Sequence, residues 1–271
     1  MAQITAALVN EMRAKTGLGM MECKKLLTEA GGDIDKAIEI ARKKGVKTSI
    51  TQRVAGEGRI AVATSPDQRI AVAVEVNTNT DFTARSQVVT AILERATAKL
   101  LSNPSLDIRS DAEIAAQVTS AAQQTGENVQ LGRAVVLTAP AGGRAGAYLY
   151  AISSKIAVLM SFKGQADEET IRQLGGHIAF ARPLGLTRAE IPAELVAKER
   201  EIAIEQAKAS GKPQQIAEKI AEGKLNSFYA ERVLLDQEFF NPQVFKGSVG
   251  NWLKGKGLTL EKYIRLEVGQ S

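Results

Sequence analysis

The strongest constraint on the fold is a near-repeat of one apolar segment. Arg69-Ile70-Ala71-Val72-Ala73-Val74 returns 86 residues later as Lys155-Ile156-Ala157-Val158-Leu159-Met160. Each copy opens on a cation and continues as a short, uninterrupted aliphatic run, the pattern of a buried strand. Strand-like sequence precedes each copy, and a helical pattern follows each. A period this long does not belong to a stacked repeat protein. It describes two related units, each a β-hairpin with a helix, and so an α+β fold.

The remaining segments arrange themselves around these strands. Residues 59–63 carry branched side chains at alternate positions, and Ser65-Pro66-Asp67-Gln68 supplies the turn into the first copy. Helical periodicity runs over 82–101 and 111–125. A second strand group is predicted at 134–137, 147–151 and 156–162, followed by a helix over 168–182 that ends before Pro183. Residues 192–231 are helical and highly charged, and Gly211-Lys212-Pro213 interrupts them. This predicts a protruding coiled-coil hairpin with Leu195, Ile202, Ile216 and Ile220 as its seam. A final alternating strand over 261–268 completes the second sheet.

The N-terminal residues read differently. Three short helices are predicted within 4–44, with Met20, Cys23, Leu26 and Leu27 on the inner side of the second. Gly31-Gly32 stops that helix and Asp33 caps the next. The expected division is a three-helix domain at 1–44, a linker at 45–58, a first core subdomain at 59–140 and a second at 141–271. The second contains the hairpin at about 192–231.

Composition narrows the function. The chain has 271 residues but one cysteine, Cys23, and one histidine, His177. That excludes a disulfide framework and a cysteine-rich zinc site, and it argues against most acid–base and metal enzymes. No apolar run is long enough to span a membrane, and no secretory signal opens the chain, so a cytoplasmic protein is expected. Residues 1–54 hold ten basic and six acidic side chains, including Lys36, Arg42, Lys43, Lys44, Lys47 and Arg53. Those residues contain no Phe, Tyr or Trp on which bases could stack, so no direct nucleic-acid partner is expected. Gly250-Asn251-Trp252-Leu253-Lys254-Gly255-Lys256-Gly257 nearly matches a phosphate-binding loop. Gly257 stands where Ser or Thr must ligate magnesium, so a short helix ending in a glycine turn is the expectation. No cofactor, bound metal or catalytic residue is expected.

One stretch stands apart from the core pattern. Asn77-Thr78-Asn79-Thr80-Asp81-Phe82-Thr83-Ala84-Arg85 follows the first apolar strand and opens a helix. Thr80 or Asp81 can cap that helix. Phe82 is then either a hydrophobic staple on its own helix or an exposed aromatic wedge of the kind that anchors interfaces. The residues alone leave both readings open.

This stretch also carries a resemblance. Thr80-Asp81-Phe82-Thr83-Ala84-Arg85 resembles the Thr-Asp-Phe-Val-Ala motif of the bacterial elongation factor Ts family. Thr16-Gly17-Leu18-Gly19-Met20-Met21-Glu22-Cys23-Lys24-Lys25-Leu26-Leu27 resembles that family's first signature. Gly126-Glu127-Asn128-Val129, His177-Ile178-Ala179, Ser210-Gly211-Lys212-Pro213 and Arg265-Leu266-Glu267-Val268-Gly269 follow in order. The resemblance implies a UBA-like three-helix domain, a duplicated core with a coiled-coil hairpin, and guanine-nucleotide exchange without bond chemistry. It implies elongation factor Tu as partner, in its GDP-bound and nucleotide-free states. Thr80, Asp81, Phe82 and Thr83 would form a tip that enters beside the partner's nucleotide and dislodges magnesium. Met20 and Tyr150 would add further contacts, and a homodimer through the core is left open.

The sequence also departs from the family. Thr83 replaces the usual Val, Ser86 a common Asn, and Tyr150 a histidine that contacts another partner domain. The sequence stops at Gly269-Gln270-Ser271, where many members continue into a helix that touches the partner, so a smaller interface is expected.

Overall fold

The computed structural model describes residues 4–16, 18–43 and 55–270. Gly17, Lys44, Lys47, Arg53 and most of the expected linker lie outside the described residues, as do the side chains of Arg42 and Lys43.

Helices α1 (Ala6–Thr16), α2 (Met20–Glu29) and α3 (Ile34–Lys43) form the N-terminal unit. Val9, Met12, Cys23, Leu26, Leu27, Ala37 and Ala41 make its small core. Left-handed Gly31 and Gly32 end α2, and the Gly32 amide donates to the Leu27 carbonyl at 2.8 Å. Asp33 then accepts from the Lys36 amide at 3.0 Å. Met20, expected on the inner side, is instead 54% exposed. It is the first residue of α2, on the same face as Cys23 and Leu27 but at the helix end, where it stays in solvent.

The rest of the chain is built on two antiparallel three-stranded sheets. The first contains β1 (Glu57–Thr64), β2 (Ile70–Thr78) and β3 (Gln130–Thr138), with β2 in the centre. The second contains β4 (Arg144–Leu149), β5 (Ile156–Lys163) and β6 (Thr259–Glu267), with β5 in the centre. The repeated apolar segments are therefore the two central strands. On β2, Val72, Val74 and Val76 face helices, whereas Ala71 and Ala73 face the other sheet. On β5, Val158, Met160 and Phe162 face helices, and Ala157 and Leu159 face the first sheet. Burial on both faces is why these strands read as continuous apolar runs.

The outer face of the first sheet is covered by α5 (Gln87–Ser102) and α6 (Ala112–Thr125). That of the second sheet is covered by α7 (Glu168–Ala181) and α10 (Val249–Gly255), with Trp252 and Phe239 buried there. The order helix, sheet, sheet, helix is an α+β architecture with two related halves.

Four expectations are corrected. Strand 134–137, grouped with the second strand set, returns to pair with β2 in the first sheet. Strand β1 already begins at Glu57, so positions 57 and 58 are paired rather than linker. The helix expected over 82–101 is broken into α4 (Asp81–Ala84) and α5. Extended Ser86 makes the break, and its hydroxyl donates to the Thr83 carbonyl at 2.6 Å. Helices α8 (Ala193–Ala209) and α9 (Gln214–Arg232) form the expected hairpin, but alanines make its seam. Ala203, Ala207, Ala217 and Ala221 are the buried positions there; of the expected seam residues Leu195 and Ile220 are half-buried, whereas Ile202 and Ile216 are exposed. Small side chains at these four positions let the two helices pack closely, with the larger apolar residues at the margins of the seam.

Candidate functional site

The tip stands where β2 leaves the first sheet. The Thr78 hydroxyl donates to the Thr80 carbonyl at 2.8 Å and bends the chain out of the strand. Thr80 is the N-cap of α4, and its hydroxyl oxygen accepts from the Thr83 amide at 3.3 Å. The same hydroxyl donates to Glu127 Oε1 at 2.7 Å, and the Thr80 amide donates to Glu127 Oε2 at 3.0 Å. Asn79 Oδ1 accepts from the Asn128 amide at 2.7 Å. Glu127 and Asn128 follow left-handed Gly126, the turn that ends α6. Burial works to raise the Glu127 carboxyl, but the hydrogen bonds from Thr80 and Thr83 outweigh it and hold the group below the ordinary glutamate range.

Within this braced turn Thr83 and Ala84 point inward and are buried. Phe82 points out and is 90% exposed. A phenyl ring left in water forgoes about 2–3 kcal/mol of burial. The staple reading fails on this exposure, because Phe82 packs on no part of its own helix. Asp81 Oδ2 lies 2.7 Å from Arg85 Nε, and Asp81 Oδ1 lies 3.5 Å from Lys155 Nζ. Lys155 also donates to Glu57 Oε2 on β1. This bond to Glu57 is the main reason the Lys155 ammonium is held above its ordinary range, against the lowering effect of burial.

Lys155 immediately precedes β5, so the second half of the molecule reaches the tip. The turn before it fits against β1 as well. The Ile60 amide donates to the Ser154 carbonyl at 2.8 Å, and Arg59 donates to Ser154 Oγ at 3.1 Å. Tyr150, at the other end of that turn, is half-buried and stacks edge-on against Phe180 with ring centres 5.1 Å apart. Between them in the chain, Ile152 is 80% exposed, and Phe180 also faces solvent. Neither Ile152 nor Phe180 was singled out from the sequence. An isoleucine inside the polar turn Ala151-Ile152-Ser153-Ser154 was the available signal. The structure thus joins Thr80, Asp81, Phe82 and Thr83 in one turn. Tyr150 lies just after β4, at the start of the turn that carries Lys155 back to it, and Met20 belongs to the separately packed N-terminal unit.

The other candidates resolve into structural roles. His177 is buried, its Nε2 lies 2.9 Å from Gln237 Oε1, and its Nδ1 accepts from the Phe240 amide at 3.2 Å. Both ring nitrogens are occupied by protein groups. Residues 249–255 form α10, closed by left-handed Gly257, with Trp252 packed into the core. Among the described residues no three His, Cys, Asp or Glu side chains gather as a metal set. Among them, too, no helix is long and apolar enough to cross a membrane. What the tip offers is a recognition geometry: one large apolar group held out on a charged, internally braced turn.

Comparison with known proteins gives this geometry a context. The family model described as Elongation factor TS matches residues 75–270. An elongation factor Ts of Pseudomonas paraeruginosa is 39% identical, covering 100% of this chain and 92% of its own. One from Alkalilimnicola ehrlichii is 36% identical, covering 98% of this chain and 92% of its own. One from Hahella chejuensis is 39% identical, covering 100% of this chain and 93% of its own.

Proposed function

The chain belongs to the elongation factor Ts family, and from that premise we propose that it exchanges the guanine nucleotide of elongation factor Tu. It binds the GDP-bound partner, loosens magnesium and GDP, and holds the nucleotide-free form until GTP enters. The observation that carries this reading is the exposed Phe82 on its braced turn. Phe82 wedges against a partner helix beside the nucleotide, with Asp81 alongside. The N-terminal unit, residues 1–44, docks on the partner's GTPase domain, and the surface around Tyr150 meets another partner domain.

The physical logic is thermodynamic coupling. Magnesium and backbone amides hold the nucleotide phosphates, so displacing the ion weakens GDP binding. Exchange factor and nucleotide then lower each other's affinity by the same factor. A wedge is suited to this work because it does not need to accept or donate a proton. No bond is made or broken, so the function asks for no acid, base or nucleophile. Thr83, in place of the family's Val, is turned inward against the tip's own anchor. The substitution therefore alters the support of the wedge rather than its contacting face.

The test is the release of fluorescent GDP from elongation factor Tu of the same organism, in excess magnesium, with this protein added. Acceleration that rises with its concentration and then saturates is expected. A release rate that stays at the spontaneous value at every concentration would refute the proposal.

A further inference from the structure

We infer that Lys155 is a positioning residue for the tip. Its ammonium clamps Asp81 to Glu57 and so fixes the wedge at the junction of the two sheets. This deepens the exchange-factor reading and rests on it for its consequence, though not for its structural content.

The geometry is specific. Asp81 Oδ1 is buried and has no hydrogen-bond partner among the described residues. The Lys155 ammonium faces it at 3.5 Å, while Arg85 takes the other oxygen. Lys155 itself is 32% exposed, so its charge is only partly screened. Its backbone is held from two directions. Its carbonyl accepts from the Val268 amide at 2.9 Å, just beyond β6, and the preceding Ser154 is fixed to β1. Ser154 takes a left-handed backbone with φ 53°, a conformation few serines adopt without support. The ammonium is therefore carried on a rigid strand end rather than on a free loop.

Arg85 belongs to the same short segment as Asp81, so it moves with the tip and cannot anchor it. The Thr80–Glu127 bonds brace the tip from the first half of the molecule. Lys155 is the charged side chain that braces it from the second half. A wedge that must push against a partner needs support on both sides, or the recoil is spent in its own displacement. Partly exposed ion pairs of this kind change an equilibrium by up to about fivefold.

Two readouts test this. In the partner-free chain, Lys155→Met should lower the backbone order parameters of residues 81–85 measured by nitrogen relaxation, leaving residues 87–102 unchanged. In stopped-flow GDP release, the same variant should lower the maximal rate about three- to fivefold, with the half-saturating concentration within about twofold. Lys155→Arg should restore both, because it keeps the charge and the reach. Glu57→Gln, which loosens the clamp from its other side, should act in the same direction and serves if Lys155→Met does not fold. Unchanged order at 81–85 in a folded Lys155→Met or Glu57→Gln variant would overturn the inference. So would a rise in half-saturating concentration with an unchanged maximal rate, since that marks a contact residue. If the unaltered protein fails to accelerate release, the exchange reading falls, and the relaxation measurement still decides the role of Lys155.

Discussion

Thr80→Ala probes the bracing of the tip without touching the wedge. The substitution removes one hydroxyl with two roles: acceptor for the Thr83 amide and donor to Glu127 Oε1. Loss of an N-cap hydroxyl costs about 1 kcal/mol. A hydrogen bond to a charged acceptor contributes about 1.5–3 kcal/mol, and exposure at this turn reduces that to about 1 kcal/mol. The Thr80 amide still reaches Glu127 in the variant, so the total at neutral pH is about 2 kcal/mol. Hydrogen exchange at the Ala84 and Arg85 amides, which close α4 onto the Thr80 and Asp81 carbonyls, reads this opening directly. Their exchange should quicken about thirtyfold at neutral pH, the factor that 2 kcal/mol gives.

The effect has a definite pH dependence. The Glu127 carboxyl is held below its ordinary range, so its stabilising contribution is complete above about pH 4.3 and is lost as pH falls through the depressed folded value. In acid only the cap remains at stake, and the ratio between variant and parent should shrink to about fivefold. Thr80→Ser, which keeps the hydroxyl, should behave as the parent. A ratio under about twofold at neutral pH, or one that is the same in acid, would refute the shared-hydroxyl reasoning.

Two further outcomes follow from the core. A methyl added at Gly175 would lie 2.3 Å from Tyr148 Cβ, where α7 crosses β4. Gly175→Ala should cost about 1–3 kcal/mol by overpacking, more than the helix propensity of about 1 kcal/mol it gains, and thermal melting checks the sign. Burial pushes the His177 imidazole down, with the Gln237 hydrogen bond partly opposing, so the folded chain binds fewer protons there than the unfolded chain. The contribution of that histidine is full above about pH 6.5 and falls as pH drops towards the depressed value, by no more than about 1.4 kcal/mol per pH unit. His177→Gln should flatten the pH dependence of the urea midpoint between about pH 7.5 and 5.5, and an unaltered slope would exclude this account.

Much of the fold was legible because its central strands are buried on both faces, which forces an uninterrupted apolar run. On β2 the alternation of alanine with Val also sorts the sheet-facing side from the helix-facing one, whereas on β5 Leu159 breaks that pattern. What failed to show was non-local. Nothing local in Ala134-Val135-Val136-Leu137 states that it pairs backwards with β2 rather than forwards. Helical periodicity continues through Ser86, so the break between α4 and α5 depends on a hydroxyl finding the Thr83 carbonyl. The hairpin's large apolar residues, Leu195, Ile202, Ile216 and Ile220, mark the seam only approximately, because the most buried positions are the alanines between the helices.

The site was half legible. Asn79-Thr80-Asp81 announces a helix start, and the resemblance singles out Phe82. The residue pattern serves a staple and a wedge equally, and only exposure separates them. Lys155, 74 positions from Asp81 in the sequence, gave no local sign that it would reach the tip. Ion pairs across a fold have no sequence spacing by which to find them.

The central claim is that the exposed ring at the tip drives nucleotide release. Phe82→Ala removes a side chain that is 90% exposed, so stability should change by less than about 0.5 kcal/mol. The deciding measurement is the maximal rate of fluorescent GDP release from elongation factor Tu at saturating concentrations of the Phe82→Ala protein. The account predicts a rate at least about tenfold below that of the parent, about 1.4 kcal/mol of lost coupling, with an unchanged melting temperature. A folded Phe82→Ala protein that releases GDP as fast as the parent would contradict it.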